Sequence, residues 1–424
     1  MKKSILGSVL ILALMVVSCS VPPVMVDQAS TDPTAVPITE STATVQLGEA
    51  KTALPESSQT EEVAIQPLDI AWIWMADARS GWAWSNENEQ ISHLLTTQDG
   101  GRTWSDVTPE DLGTVIGNEF LDAQTAWVSA TDANGQWRLL GTLNGGQSWK
   151  VLPIVEAIQY SNLKIFTALE GAAIITSGAA GSAYYTIYET TDSGNEWSLV
   201  PLLSPTGSDG LPEGTVQLCN ICGDILYYDP LRTVIAKGDM AGEPTGRLQV
   251  FSSFDRGMSW SQSNLEIPAE FADGNNAALQ PKFHMQEGTL PVNVVKYDST
   301  GNFVYSILLF YRTSDGGVTW HLQESRLNLQ GVLPDPVHFA SINDIFTQCG
   351  TGLCYSNDGG KSFTVNPLPM RLGDRPADML FFEQYQFVSS TEGYAISKMG
   401  DDYQLWHTDD YGLVWTEILP EVIQ

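Results

Sequence analysis

TQDGGRTW, residues Thr97–Trp104, is one copy of an eight-residue pattern, S/T-x-D-x-G-x-x-W, that this chain carries seven times. The other copies are TLNGGQSW (Thr142–Trp149), TTDSGNEW (Thr190–Trp197), SFDRGMSW (Ser253–Trp260), TSDGGVTW (Thr313–Trp320), SNDGGKSF (Ser356–Phe363) and TDDYGLVW (Thr408–Trp415). Successive copies start 45, 48, 63, 60, 43 and 52 residues apart. That step is the length of one four-stranded blade plus variable loops, so the count predicts an all-β chain folded as a seven-bladed β-propeller.

Each residue type in the pattern meets a need of a tight hairpin turn. The acids Asp99, Asp192, Asp255, Asp315, Asp358 and Asp410 are acceptor-only when ionised, and each can take backbone N–H groups of its own turn. Asn144 stands in their place in the second copy and keeps an acceptor oxygen. Gly101, Gly146, Gly194, Gly257, Gly317, Gly360 and Gly412 follow two residues later and permit a positive φ. Trp104, Trp149, Trp197, Trp260, Trp320 and Trp415, with Phe363 in the sixth copy, then open the next strand and bury an aromatic face against the neighbouring blade. On this reading the repeat builds the fold and carries no catalysis.

The pattern resembles the Asp-box, or bacterial neuraminidase repeat, of sialidases, sortilin-type receptors, xyloglucanases and the lumenal assembly factor of photosystem II. A second phrase precedes most copies: MADARSGWAW (Met75–Trp84), FLDAQTAWVS (Phe120–Ser129), FASINDIFTQ (Phe339–Gln348) and FVSSTEGYAI (Phe387–Ile396). That phrase is more similar to the photosystem II assembly-factor family than to the sialidases. The resemblance spans about Pro67 to Pro420 and implies the propeller fold; it transfers no binding residue.

The first residues read as export machinery. Met1-Lys2-Lys3 precedes an apolar run from Ile5 to Val17, and Val16-Val17-Ser18-Cys19 resembles the lipobox of bacterial lipoproteins. A signal peptide over residues 1–18 and lipidation of Cys19 are therefore expected, with the acyl chains as the membrane anchor. An ordinary secretory signal with an incidental cysteine is the alternative. From 19 to 66 the chain is rich in Pro, Thr, Ser, Ala and Val and reads as a disordered tether, with the propeller filling 67–424. The expected location is outside the cytoplasm, anchored to the bacterial cell membrane or outer membrane.

Charge narrows the partners. Fifty acids face twenty Lys and Arg, a formal balance of −30. Phosphate backbones want the opposite field, which argues against nucleic acid, and anionic bilayers should repel the domain. Self-repulsion that keeps an exported monomer soluble is the plainer reading; a basic, cationic or metal-bridged partner is the functional one.

Four cysteines remain after Cys19. In an exported protein they read as disulfides, and Cys349 and Cys354 flank a hairpin-like Gly-Thr-Gly-Leu. Cys219 and Cys222 then close on themselves or bridge elsewhere. A zinc site built from all four thiolates and a redox Cys-x-x-Cys are the alternatives.

Strand alternation puts the repeat turns and the turns between first and second strands on one face. Turns between second and third strands, and blade connections, lie on the other. The insertions Pro201–Thr215, Lys237–Arg247, Gln262–Pro281 and Tyr297–Asn302 all map to that second face, around blades 4 and 5. Long loops on a rigid scaffold are where binding residues gather, so this face is the expected working surface. Its candidate residues are Asp209, Glu213, Asp239, Glu243, Glu266, Glu270, Asp273, Asp298, Asp401 and Asp402, with Glu87, Glu89 and Asp132 in neighbouring turns. Trp137 and Trp406 flank two of these turns and are candidates to stack on a glycan.

No Phe/Tyr-Arg-Ile-Pro phrase, nucleophile elbow, phosphate loop or His pair is present, so no catalytic residue, metal ligand or cofactor is assigned. The sequence reads as a non-enzyme that binds an envelope or membrane protein, as an assembly or scaffolding factor. The alternative is a carbohydrate-active surface protein, either a glycan binder or a glycoside hydrolase.

Overall fold

The computed structural model describes residues 69–423, leaving out 88–89, 154–160, 178–182, 204–214, 220–223, 239–243, 330–336, 350–351, 366–370, 373–374, 377–381 and 400–401. The expected signal peptide, Cys19 and the tether lie outside the described residues. Described strands form seven sheets arranged as a seven-bladed propeller.

Blade 1 runs from its inner strand outward as Ile70–Met75, Gly81–Glu87, Gln90–Thr97 and Thr103–Asp106. Blade 2 follows with Leu112–Phe120, Ala126–Asp132, Trp137–Thr142 and Lys150–Leu152. Blade 4 is Asp224–Asp229, Arg232–Lys237, Arg247–Ser253 and Ser261–Glu266. Blade 6 is Val337–Phe339, Ile345–Cys349, Gly352–Ser356 and Thr364–Val365, and blade 7 is Phe382–Phe387, Gly393–Met399, Asp402–Thr408 and Val414–Ile418.

Two blades are interrupted. In blade 3 the strands Ser161–Ile165, Gly171–Ser177 and Ala183–Thr190 are followed by an outer strand in two pieces. Ser198–Leu199 pairs with one half of Ala183–Thr190, and Thr215–Cys219 pairs with the other half along the same edge. Blade 5 has its inner strand split as Asn275–Ala278 and Lys282–His284, both pairing with Glu287–Tyr297, before Phe303–Thr313 and His321–Leu329.

These pairings correct two of the expected insertions. Pro201–Thr215 does not join blades 3 and 4, because Ser198–Leu199 before it and Thr215–Cys219 at its end both pair with the third strand of blade 3. Its described start is held by the next blade, where Leu203 donates its N–H to the Gly257 carbonyl at 2.9 Å. Gln262–Pro281 is not one loop: it begins in the outer strand of blade 4 and already contains the first piece of the inner strand of blade 5. The connection between them is short, with a single 3-10 turn at Ala269–Phe271.

The core sits between blades. One cluster joins Trp74, Trp82 and Trp84 of blade 1 to Phe120, Val128 and Leu140 of blade 2. Another joins Ile73, Met75 and Trp104 of blade 1 to Tyr394, Ile396 and Leu405 of blade 7. Each sheet thus presents two apolar faces, which is why its strands are near-continuous in hydrophobics and a lone blade has nothing to cover it.

Closure of the ring uses three devices. Glu421–Ile423 pairs in parallel with Thr103–Asp106, adding a fifth strand to blade 1. Gln384 and Gln386, on the inner strand of blade 7, each clasp the backbone of blade 1. Gln384 accepts from Ile73 N–H at 3.0 Å and donates to its carbonyl at 2.7 Å; Gln386 does the same with Met75, both bonds at 2.8 Å. The Asp69 carboxylate accepts the Tyr403 N–H at 3.0 Å. Side-chain amides here stand in for a strand, satisfying backbone groups that an inner edge leaves open.

Candidate functional site

The repeat turns form one face, and their geometry is nearly the same seven times. In the first copy the Thr97 hydroxyl donates to Asp99 at 3.0 Å and accepts the Gly101 N–H at 3.0 Å. Asp99 accepts the Thr103 N–H at 2.9 Å on the far side of the turn. The same triangle recurs at Thr313, Asp315 and Gly317, and at Ser356, Asp358 and Gly360. All seven first-position hydroxyls are buried: Thr97, Thr142, Thr190, Ser253, Thr313, Ser356 and Thr408. Each repeat glycine has a positive φ, from +76° at Gly257 to +102° at Gly317.

These bonds set the charge of the turn acids. For Asp255, the Ser259 hydroxyl and N–H, with the Ser253 hydroxyl, hold the carboxyl down to about 2. Burial pushes Asp315 up, yet hydrogen bonds from Thr319 and Thr313 outweigh it and leave that group at about 2 as well. Both are ionised structural acceptors at any physiological pH.

The axis is lined by inner strands. Pairing with the second strands aligns Met75, Phe120, Ile165, Tyr228, Phe283, Phe339 and Phe387. The residue before each therefore stands at one level around the axis: Trp74, Glu119, Lys164, Tyr227, Lys282, His338 and Gln386. These side chains reach to the adjacent blade. Lys164 lies 4.0 Å from Glu119, and His338 donates through Nε2 to the Phe387 carbonyl at 2.9 Å. Burial, with Lys282 adding to it and the Phe387 bond opposing, pushes His338 down to about 4, so it is neutral at neutral pH. The contacts at this level join neighbouring blades.

On the opposite face, two of the described candidates are tied into their own loops and two are held by neighbouring strands. Asp298 accepts N–H groups from Thr300 at 2.8 Å and Asn302 at 2.9 Å; the Thr300 hydroxyl, first among these donors, holds it well below the carboxylate range. Asp132 accepts from the Gln136 N–H at 2.9 Å and pairs with Arg138 at 2.9 Å. Asp273 is bonded by Lys296 and by the Tyr305 hydroxyl, and Glu266 pairs with Arg247 at 3.2 Å. Glu270 lies in the 3-10 turn and Asp402 opens the third strand of blade 7. Asp209, Glu213, Asp239, Glu243 and Asp401 lie outside the described residues, as does Glu89, and the side chain of Glu87 is likewise not described. Among the described residues no three of His, Cys, Asp and Glu converge as metal ligands would.

The cysteines divide in the same way. Cys349 and Cys354 form a disulfide across their hairpin, with Cα atoms 5.7 Å apart. Cys219 ends the second piece of the outer strand of blade 3, its side chain not described, and Cys222 lies outside the described residues. Trp406 is buried inside blade 7 and donates to the Ser397 hydroxyl at 2.8 Å, so it is not available to a glycan. Trp137 is half-buried at the start of its strand.

No family model matches the chain, and no curated protein does. Among solved structures it is similar to one described as YCF48 bound to D1 peptide, at 18% identity over 81% of this chain and 94% of that one, with a TM-score of 0.46. Polysaccharide lyase Uly1 is similar at 9% identity over 85% of this chain and 96% of that one, TM-score 0.48. The GH93 α-L-arabinofuranosidase of Fusarium graminearum is similar at 11% identity over 71% and 94%, TM-score 0.37. Similarity of this degree is one of architecture, and protein binders and carbohydrate enzymes share it.

Sequence reasoning missed two features of the site. Buried first-position hydroxyls were readable from the invariable Ser or Thr that opens each copy. The exposed apolar residues Leu231, at 77%, and Met285, at 80%, lie in turns on the repeat face, opposite the face on which the insertions direct attention. Their signal was a large hydrophobic where a turn residue belongs.

Proposed function

We propose that this chain is an exported, lipid-anchored propeller that binds a protein of the cell envelope and serves as an assembly or scaffolding factor. The anchor rests on Met1–Cys19 and the reach on the tether that follows. Support for a protein partner comes from one observation above the others: large apolar side chains stand exposed on a rigid, disulfide-pinned scaffold. Exposed apolar groups in a chain of this charge suit a macromolecular surface better than a sugar, which wants stacked Trp beside convergent polar groups.

The test is cross-linking in native membranes with the tagged, lipidated chain beside Cys19→Ala, read by mass spectrometry. One dominant envelope protein, lost when the variant leaves the membrane fraction, is the expected result. A cross-link pattern without any protein, or retention of Cys19→Ala in membranes, overturns the reading.

A further inference from the structure

Arg232 opens the second strand of blade 4 and is only 7% exposed. Its guanidinium lies 4.0 Å over the Phe283 ring and 5.8 Å from the Phe254 ring, and Nη2 donates to the Met285 carbonyl at 2.7 Å. Nε is buried with no acceptor. In a chain with fifty acids, no described carboxylate lies within ion-pair distance of this cation. Asp229, in the same turn, acts on the cation through space while its carboxylate accepts the Leu231 N–H at 2.7 Å. The flanking arginines are already paired, Arg256 with Glu189 at 3.3 Å and Arg312 with Glu287 at 3.4 Å. A buried guanidinium N–H with no acceptor is costly, and the cost is recovered when a carboxylate is brought to it.

The surface around this cation is apolar. Leu231 is 77% exposed, Phe254 43% and Met285 80%. They come from the turns of blades 4 and 5, and the Phe254 ring packs so close to the blade 5 repeat turn that a Cβ on Gly316 would sit 2.8 Å from it. Met285 also holds a φ of +54°, a left-handed conformation that costs a non-glycine residue stability. Strain, apolar exposure and an unsatisfied guanidinium N–H meet at one place, the combination of an aromatic and arginine anchor with a methionine that can re-pack.

We infer that the repeat face of blades 4 and 5 docks a protein segment that sets one Asp or Glu carboxylate against Arg232 and an adjacent apolar side chain on Leu231, Phe254 and Met285. This deepens the protein-partner reading and rests on it. The complementarity is of charge and of surface: the site leaves a buried guanidinium N–H without an acceptor and exposes three hydrophobics.

A phage library of random twelve-residue peptides panned on the full chain in detergent tests it. Enriched peptides should place Leu, Ile, Phe or Trp within two positions of Asp or Glu. A synthetic peptide from that set should bind about tenfold or more weaker to Leu231→Asp and to Met285→Ser, and the same peptide with its acid changed to the amide should weaken likewise. Both positions are exposed, and an unfolding curve for each variant confirms an intact fold. Unchanged affinity in both variants, enrichment of sequences with basic residues only, or no enrichment overturns the surface. Should the membrane cross-link persist in Leu231→Asp, the partner reading stands while this surface falls. Peptide binding lost in Leu231→Asp, alongside membranes that yield no cross-linked protein, has the opposite meaning.

Discussion

Gln386 in blade 7 clasps the backbone of Met75 in blade 1, donating to its carbonyl and accepting its N–H, both at 2.8 Å. The two residues are 311 apart in sequence and both are buried. Replacing Gln386 with Leu keeps the volume near but orphans two buried backbone groups. The expected loss is about 1–3 kcal/mol for a stranded group of this kind, read as a lower urea midpoint at an unchanged m value. A Gln386→Leu chain as stable as the parent would show that the clasp contributes nothing.

His338 predicts a pH dependence with a definite sign. Its folded value of about 4 lies below the ordinary 6.5, so the unfolded chain binds the extra proton. Stability from this group is complete above the unfolded value and is lost as pH falls from about 6.5 towards 4. Gln presents a similar donor, as Gln386 shows at the next seam. His338→Gln should therefore remove that limb of the stability profile while leaving neutral-pH stability within about 1 kcal/mol, measured by urea unfolding between pH 7 and 4.

A second acid limb belongs to the repeat turns. Asp255 and Asp315 have folded values of about 2, below the ordinary 3.8. The stability they supply is present above the unfolded value and disappears as pH falls through about 2. Asp315→Asn should flatten part of that limb, because an amide oxygen still accepts the turn N–H groups, as Asn144 does from Ser148 at 3.0 Å. An unaltered profile below pH 4 would contradict this account.

Thr313 tests the hydroxyl that opens each repeat. It donates to Asp315 at 2.7 Å and accepts the Gly317 N–H at 2.9 Å while 1% exposed. Thr313→Val keeps the shape and strands both partners, for a loss of about 1–3 kcal/mol; Thr313→Ser keeps the hydroxyl and should cost less. Equal unfolding midpoints for the two variants would remove the hydroxyl from the explanation.

Met285 separates stability from binding. At a φ of +54° glycine carries no steric penalty, so Met285→Gly should gain up to about 1 kcal/mol in urea unfolding and lose peptide binding at the same time. A variant that gains neither stability nor loses binding contradicts both the strain and the surface.

How far the sequence reaches can be seen residue by residue. Blade 1 was readable almost to its ends, because Ile70–Met75 and Gln90–Thr97 carry strand periods and Asp99 to Trp104 names the turn from the third strand into the fourth. The repeats carry their own local chemistry, and local chemistry is what a sequence displays. Pro201–Thr215 misled because Thr215–Cys219 has the look of a new blade, while only pairing with Ala183–Thr186 shows that it completes an old one. Gln384 and Gln386 were not legible at all: a glutamine is polar by type, and its backbone partners lie across the ring. Arg232 and Met285 hid for a related reason, since a turn residue shows its neighbours only when adjacent blades are side by side.

The three-residue strand Glu421–Ile423 beside Thr103–Asp106 has a kinetic meaning. Hairpins within a blade can form in microseconds, but this contact waits on a loop of some three hundred residues, so it belongs to the slow end of the folding reaction. Until it forms, blade 1 offers an open edge that the same strand from another molecule fits equally well. Refolding at high concentration would then trade strands between chains and yield exchanged dimers, with dilution favouring the closed ring.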